Sequence, residues 1–165
     1  MCSSDLPNKV GLDWFINEVT PHLPDDFTFA IAGNVPGSRQ VKHQGAEFLG
    51  RVQSALDFTR DCACVPLVSR AGTGVQLKTL EAFELGLPSV ATSSSVRGIA
   101  RVPDNCVVQD DPKLFAEALV TAARFGKKAD IDGRVFHANQ KAQMLSALND
   151  GLSHFMPRAH LQAAE

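Results

Sequence analysis

RAGTGVQLKTLEAFELGLP, residues 70–88, decides how the rest of the chain is read. A glycine-rich turn opens it, a run of good helix formers fills it, and a glycine and a proline close it. The spacing predicts a helix that begins near Gly74, caps at Gly86 and is barred from continuing by Pro88. CACVPLV, residues 62–68, precedes this helix, and PSVAT, residues 88–92, follows it. Both are apolar and strand-like, with Pro66 expected at the end of its strand.

The same alternation extends outward. FTFAIAG, beginning at Phe27, reads as a buried strand, AEFLG at 46–50 as a short strand ending at Gly50, and CVVQ at 106–109 as one more strand. Residues 10–20 place Leu12, Phe15, Ile16 and Val19 at helical spacing, and a short helix is expected around 53–60. Asp111 reads as an N-cap with Pro112 at the first helical position, ahead of an apolar face of Leu114, Phe115, Ala118, Leu119 and Ala122. A last helix, roughly 134–153, carries Val135, Ala138, Ala142, Leu145, Leu148 and Leu152. Either it docks fully on the sheet, or part of its apolar face stays exposed. Strands without alternation, separated by amphipathic helices, predict an α/β fold: a Rossmann-like doubly wound parallel sheet covered on both faces. We expect a single domain over 1–165, with the helix from about 130 onward as a C-terminal extension.

The chain opens with a helix, whereas doubly wound domains open with a strand. The first strand is therefore expected to be lacking. Its place would be near the middle of the sheet, which would leave unpaired backbone and an apolar slot.

Composition narrows the function classes. A chain of 165 residues has the size of one ordinary domain. With 44% hydrophobic and 21% charged residues it fits a soluble globular protein rather than a disordered one. A net charge of −2 is too near neutral for a bulk grip on nucleic acid or anionic lipid. No apolar run reaches the length of a membrane span, and the N-terminus has no signal-peptide pattern, so a cytoplasmic location is expected. Cys2, Cys62, Cys64 and Cys106 form no C-x-x-C pair and read as buried, inert thiols. His22, His43, His137, His154 and His160 have no partner suggested by spacing and read as surface or capping residues. Asp110 and Asp111 are explained by a helix N-terminus more simply than by a metal.

In a parallel sheet, ligands sit outside the carboxyl ends of the strands, where helices begin. The quoted helix begins there. Its first backbone amides lack intrahelical partners, and Gly72 and Gly74 let a ligand approach the backbone closely. This suits a phosphate. Lys78 lies about 6 Å along the axis from Gly74. Glu81, three residues later, shares its face. A lysine suits a phosphate oxygen, and a carboxylate suits two neighbouring ribose hydroxyls. Two phosphate motifs are excluded: Gly74 is followed by Val75, not by Lys and Ser or Thr, and the third glycine of the dinucleotide fingerprint would fall on Leu77. The plainer alternative is a solvated Lys78–Glu81 pair beside an ordinary glycine turn.

These segments occur in an order that resembles the C-terminal, donor-binding domain of retaining GT-B glycosyltransferases of the family 4, or group 1, type. The resemblance runs from about residue 7 to 120, and P-L-x-x-x-A-G-T-G-x-x-x-K-x-L-E-A-F-x-L-G-L-P-S-V-A-T is its most specific piece. It implies a nucleotide-diphospho-sugar donor, a sugar or lipid acceptor, hexosyl transfer with retention, and no obligatory metal or other cofactor. Glu81 would match the second glutamate of the family's E-x7-E motif and bind the ribose. Lys78, Arg70 and the turn Gly72-Thr73-Gly74 would lie near the phosphates and sugar. Gly50, Arg51 and Val52 match the segment bordering the nucleobase, and residues 93–98 match a loop after a later strand. The first glutamate of the motif falls on Thr73, and Lys9 is a candidate stand-in for a basic residue of the family's first loop. The acceptor domain has no counterpart in the sequence. A separate acceptor-binding partner is therefore implied, and a non-catalytic remnant or docking module is the alternative. A related sugar-nucleotide epimerase shares the architecture, but the K-x-L-E-A pattern fits transferases better.

Overall fold

The protein is described here by a computed structural model, which covers residues 5–33, 41–99, 101–127 and 133–153. Among the described residues, five short strands carry the fold: β1 (Phe29–Ala32), β2 (Ala46–Gly50), β3 (Val65–Leu67), β4 (Ser89–Ala91) and β5 (Cys106–Val108). The helices are α1 (Asp5–Trp14), α2 (Ala55–Arg60), α3 (Leu77–Glu84), α4 (Pro112–Phe125) and α5 (Gly133–Ser153). A π-turn, Phe15–Val19, and a 3₁₀ turn, Thr20–His22, prolong α1. Every strand pairing is parallel, as expected of strands joined by helical crossovers.

The strands form two pieces, β1–β2 and β3–β4–β5. Helix α4 shows how the pieces are oriented. It starts immediately after the carboxyl end of β5, where Asp111 accepts a hydrogen bond from the Leu114 amide at 2.9 Å with Pro112 at the first position. Its far end reaches Asp26, just ahead of β1, through Arg124 at 3.1 Å. The start of β1 therefore lies at the amino end of the larger piece, and the two pieces run the same way. Between them is a cavity of about 470 Å³, lined by residues of β1 on one side and of β3 on the other. Among the described residues, no strand pairing joins the two pieces.

Both faces are covered. Trp14, Phe15 and Val19 from the first helical segment meet Val90 of β4 and Phe115 and Leu119 of α4. Trp14 and Phe115 meet edge to face, with centroids 5.2 Å apart. Burying a side chain of this size stabilises by roughly 1.5–3 kcal/mol. On the opposite face Leu67 and Ala91 pack on Ala82 and Phe83 of α3. Period-two alternation along β4 places Val90 on one face and Ala91 on the other.

Two expectations need correction, and one open alternative is decided. Pro66 is the middle residue of β3 rather than its end. It is tolerated because β3 has a free edge toward the cavity, where a missing N–H breaks no ladder bond. Leu114 is exposed, and Ala116 is buried in its place, because α4 turns Phe115, Ala116 and Leu119 inward. Helix α5 is fixed near its start, where Phe136 stacks edge to face on Phe83 at 5.5 Å and His137 pairs with Glu84 at 2.8 Å. Beyond that Leu145, Leu148 and Leu152 are exposed, so the helix does not dock fully on the sheet.

Candidate functional site at the carboxyl ends of the strands

The chain places small polar residues directly after β3 and β4, and they interlock. The Ser69 amide donates to Ser95 Oγ at 2.8 Å, and Ser95 Oγ donates to the Leu67 carbonyl at 2.6 Å. Thr92 Oγ1 donates to the Ser69 carbonyl and lies 2.9 Å from Ser95 Oγ. From α3, Thr79 Oγ1 donates to the Ser95 carbonyl at 3.0 Å. All four side chains are buried. Fully paired hydroxyls in a low-dielectric interior rigidify their surroundings. This network ties the ends of β3 and β4 to the first turn of α3, and the sequence reading missed it. The available signal was a hydroxyl-bearing residue next to each apolar strand: Ser69, then Thr92 and Ser95.

The helix tip differs from the expectation. Helix α3 starts at Leu77 with Gln76 as N-cap, not near Gly74. Gly72 takes φ +105°, a left-handed conformation that favours glycine, and makes a separate turn. Gln76, in extended conformation, carries the chain from that turn into the helix and reaches back to the Gly74 carbonyl at 3.4 Å. Gly72, Thr73 and Gly74 are all exposed. Val75 does not pack onto the sheet and is 47% exposed. It leans instead on the loop after β4, so closely that a Cβ on Gly98 would lie 2.9 Å from Val75 Cγ2. The loop of residues 93–98 therefore borders the turn.

Lys78 sits in the first turn of α3, and its Nζ donates to Asn8 Oδ1 of α1 at 2.8 Å. Burial pushes its pKa down, and the Glu81 carboxylate partly opposes this. Glu81 is on the exposed side of α3. Arg70 is held from two sides. Its guanidinium stacks 4.7 Å from the centre of the Trp14 ring and lies 3.9 Å from Asp110. Asp110 also accepts hydrogen bonds from the Ser93 amide and hydroxyl. The Ser93 hydroxyl above all holds the Asp110 carboxyl below its usual range; burial opposes it, and the Ser93 amide and the Arg70 charge add to the lowering. Asp111 alone caps α4. Asp110 instead joins the loop after β4 to Arg70.

The structure thus gathers Arg70, Gly72, Thr73, Gly74 and Lys78 around the carboxyl end of β3 and the start of α3. Val52 also follows a strand end, that of β2, but it belongs to the other piece, across the cavity. Lys9 is exposed. The thiols of Cys64 and Cys106 are pushed up to about 12, mainly by burial, and burial raises that of Cys62 as well. Such thiols stay protonated at neutral pH and are poor nucleophiles. Cys2, His154 and His160 lie outside the described residues. His43 holds a turn: Nδ1 accepts from the Gly45 amide at 3.1 Å, which leaves Nε2 to donate to the Pro24 carbonyl at 3.0 Å. His22 is exposed, and His137 has the partner Glu84, which spacing did not suggest. Among the described residues, no three His, Cys, Asp or Glu side chains are grouped for a metal ion. No described helix is long and apolar enough to cross a membrane.

Parallel strands covered by helices on both faces, with loops and a helix start gathered at their carboxyl ends, define a Rossmann-like α/β protein. The family model described as "Glycosyl transferases group 1" matches residues 1–124. The chain belongs to this family, whose reaction joins a glycosyl donor to an acceptor. No curated protein and no solved structure matches the chain.

Proposed function

We propose that this chain is the donor-binding domain of a retaining hexosyltransferase that uses a nucleotide-diphospho-sugar. The observation that carries this reading is the meeting of Arg70, the Gly72–Gly74 turn and Lys78 at one strand end, on a floor fixed by buried hydroxyls. Two cations and free helix-tip amides are the groups needed where a diphosphate leaves with the bonding electron pair. Lys78 would exchange its neutral partner Asn8 for a phosphate oxygen. Gly72, Thr73 and Gly74 would let the donor approach the backbone. Glu81, exposed further along α3, would accept hydrogen bonds from the ribose, and Val52 would border the base. The acceptor, a sugar or lipid hydroxyl, would lose its proton as it bonds to the anomeric carbon. A separate acceptor-binding domain would supply that hydroxyl. No metal is required of this arrangement, because the cations come from the chain, and the site would face the cytoplasm.

The exposed leucines of α5 favour a second reading, in which the chain is a docking module without turnover of its own. Calorimetric titration of the full chain with UDP, GDP and ADP separates the two. One nucleotide should bind, and Glu81→Ala should weaken it about tenfold or more, since a hydrogen bond to a charged group contributes roughly 1.5–3 kcal/mol. A folded chain that binds none of the three would overturn the donor-site reading in favour of the module.

A further inference from the structure

Arg70 is oriented without being used up. Its guanidinium lies 4.7 Å from the centre of the Trp14 ring and 3.9 Å from the Asp110 carboxylate. Stacking and charge hold it, and among the described residues no hydrogen bond takes up its N–H groups. A guanidinium presents a rigid fork of such donors. The side chain is 35% exposed, so the fork is open to an incoming anion. Both supports are themselves fixed. Trp14 is buried and meets Phe115 edge to face in the core. The Asp110 amide donates to Gln109 Oε1 at 2.9 Å, and the Asp111 amide donates to the same oxygen at 3.0 Å. Asp110 Oδ1 accepts from the Ser93 amide at 3.0 Å, and Oδ2 accepts from the Ser93 hydroxyl. Arg70 follows β3, Ser93 follows β4 and Asp110 follows β5, so all three strand ends of the larger piece converge on one guanidinium.

We propose, on the donor-site reading above, that Asp110 is a positioning residue for Arg70: it holds the guanidinium against the indole so that the fork meets the donor's diphosphate already ordered. Stability alone does not account for the arrangement. A charge pair at 3.9 Å between partly exposed groups contributes little to folding. Its effect is to restrict a long side chain that is otherwise rich in rotamers. A cation ordered in advance loses less freedom when the anion arrives, and binding is stronger for it. Arg70 also accepts a phosphate without surrendering a hydrogen bond. Lys78 differs, because it must release Asn8 first. Asp110 itself touches no phosphate, since two anions repel, and acts only through the guanidinium.

The sign of one substitution separates positioning from simple charge. Asp110→Asn removes a negative charge beside an anion site, so Coulomb attraction alone predicts tighter anion binding. Positioning predicts weaker binding. The full chain is titrated by calorimetry with inorganic pyrophosphate and with UDP, GDP and ADP. Asp110→Asn should weaken pyrophosphate binding by about three- to tenfold, and Asp110→Glu should recover part of the loss. Ser93→Ala frees the carboxylate without changing any charge and should weaken binding in the same sense; it decides the question if Asp110→Asn fails to fold. Asp110→Asn added to Arg70→Ala should cost nothing further. Without ligand, Asp110→Asn should move the Trp14 emission in the same direction as Arg70→Ala. If the wild type binds and Asp110→Asn binds equally or more tightly, the positioning role is overturned and the donor site stands. A further loss in the double variant has the same meaning, because Asp110 would then act without Arg70. A folded wild-type chain that binds neither pyrophosphate nor any of the nucleotides would overturn the donor site, and the positioning role with it.

Discussion

The two pieces of sheet share parallel pairing but differ in what surrounds them. All three residues of β4 are buried, with helices on both faces and buried hydroxyls bonding its carboxyl end to β3 and α3. Strand β2, in contrast, is largely exposed, including Phe48 and Leu49. Ladder hydrogen bonds contribute only modestly once the water they replace is considered. What separates the pieces is covered apolar area and satisfied polar groups, not the number of paired strands. The better-covered piece also carries most of the candidate site.

This contrast can be tested by substitutions of graded effect. Phe115→Ala, in the core under β4, should cost about 3–5 kcal/mol in urea unfolding and lower the stability of the whole chain. Thr92→Val removes the hydroxyl that binds the Ser69 carbonyl and should cost about 1–3 kcal/mol. Amide exchange should locate that loss at the ends of β3 and β4 rather than in β1. Phe48→Ser, on the exposed side of β2, should change stability by no more than about 0.5 kcal/mol. A loss as large as that of Thr92→Val would show that the smaller piece is covered after all. The weakest effect should come from acid. The folded pKa of Asp110 lies below its unfolded value, so its contribution is complete above the unfolded value, near pH 3.9. It fades as pH falls through the lower, folded value, and Asp110→Asn should flatten that part of the stability profile. The effect is small because the carboxylate is half exposed.

Much of the larger piece is legible in the sequence. The Asp111–Pro112 start of α4 is read directly, because a side-chain cap and a fixed φ act locally. The α/β alternation is read directly too, because apolar strand runs separated by amphipathic helices allow little besides a parallel sheet. Contacts between distant segments are harder to read. The glycines suggest an earlier start for α3 than the structure shows, because the extended conformation of Gln76 sets the boundary. Arg70 and Lys78 are recognisable as cations near a strand end. That Trp14 and Asp110 hold one, and Asn8 the other, depends on segments far apart in the chain. The serine and threonine network left only a faint signal, because isolated hydroxyls are common in loops.

The position of Trp14 has a practical consequence. The chain has one tryptophan and no tyrosine, so its ultraviolet emission comes essentially from a single indole. That indole lies under the Arg70 guanidinium and against the Phe115 ring. Any anion that draws Arg70 away alters the electric field on the indole and shifts its colour or brightness. The protein therefore carries a built-in optical gauge of its candidate site, with no label required.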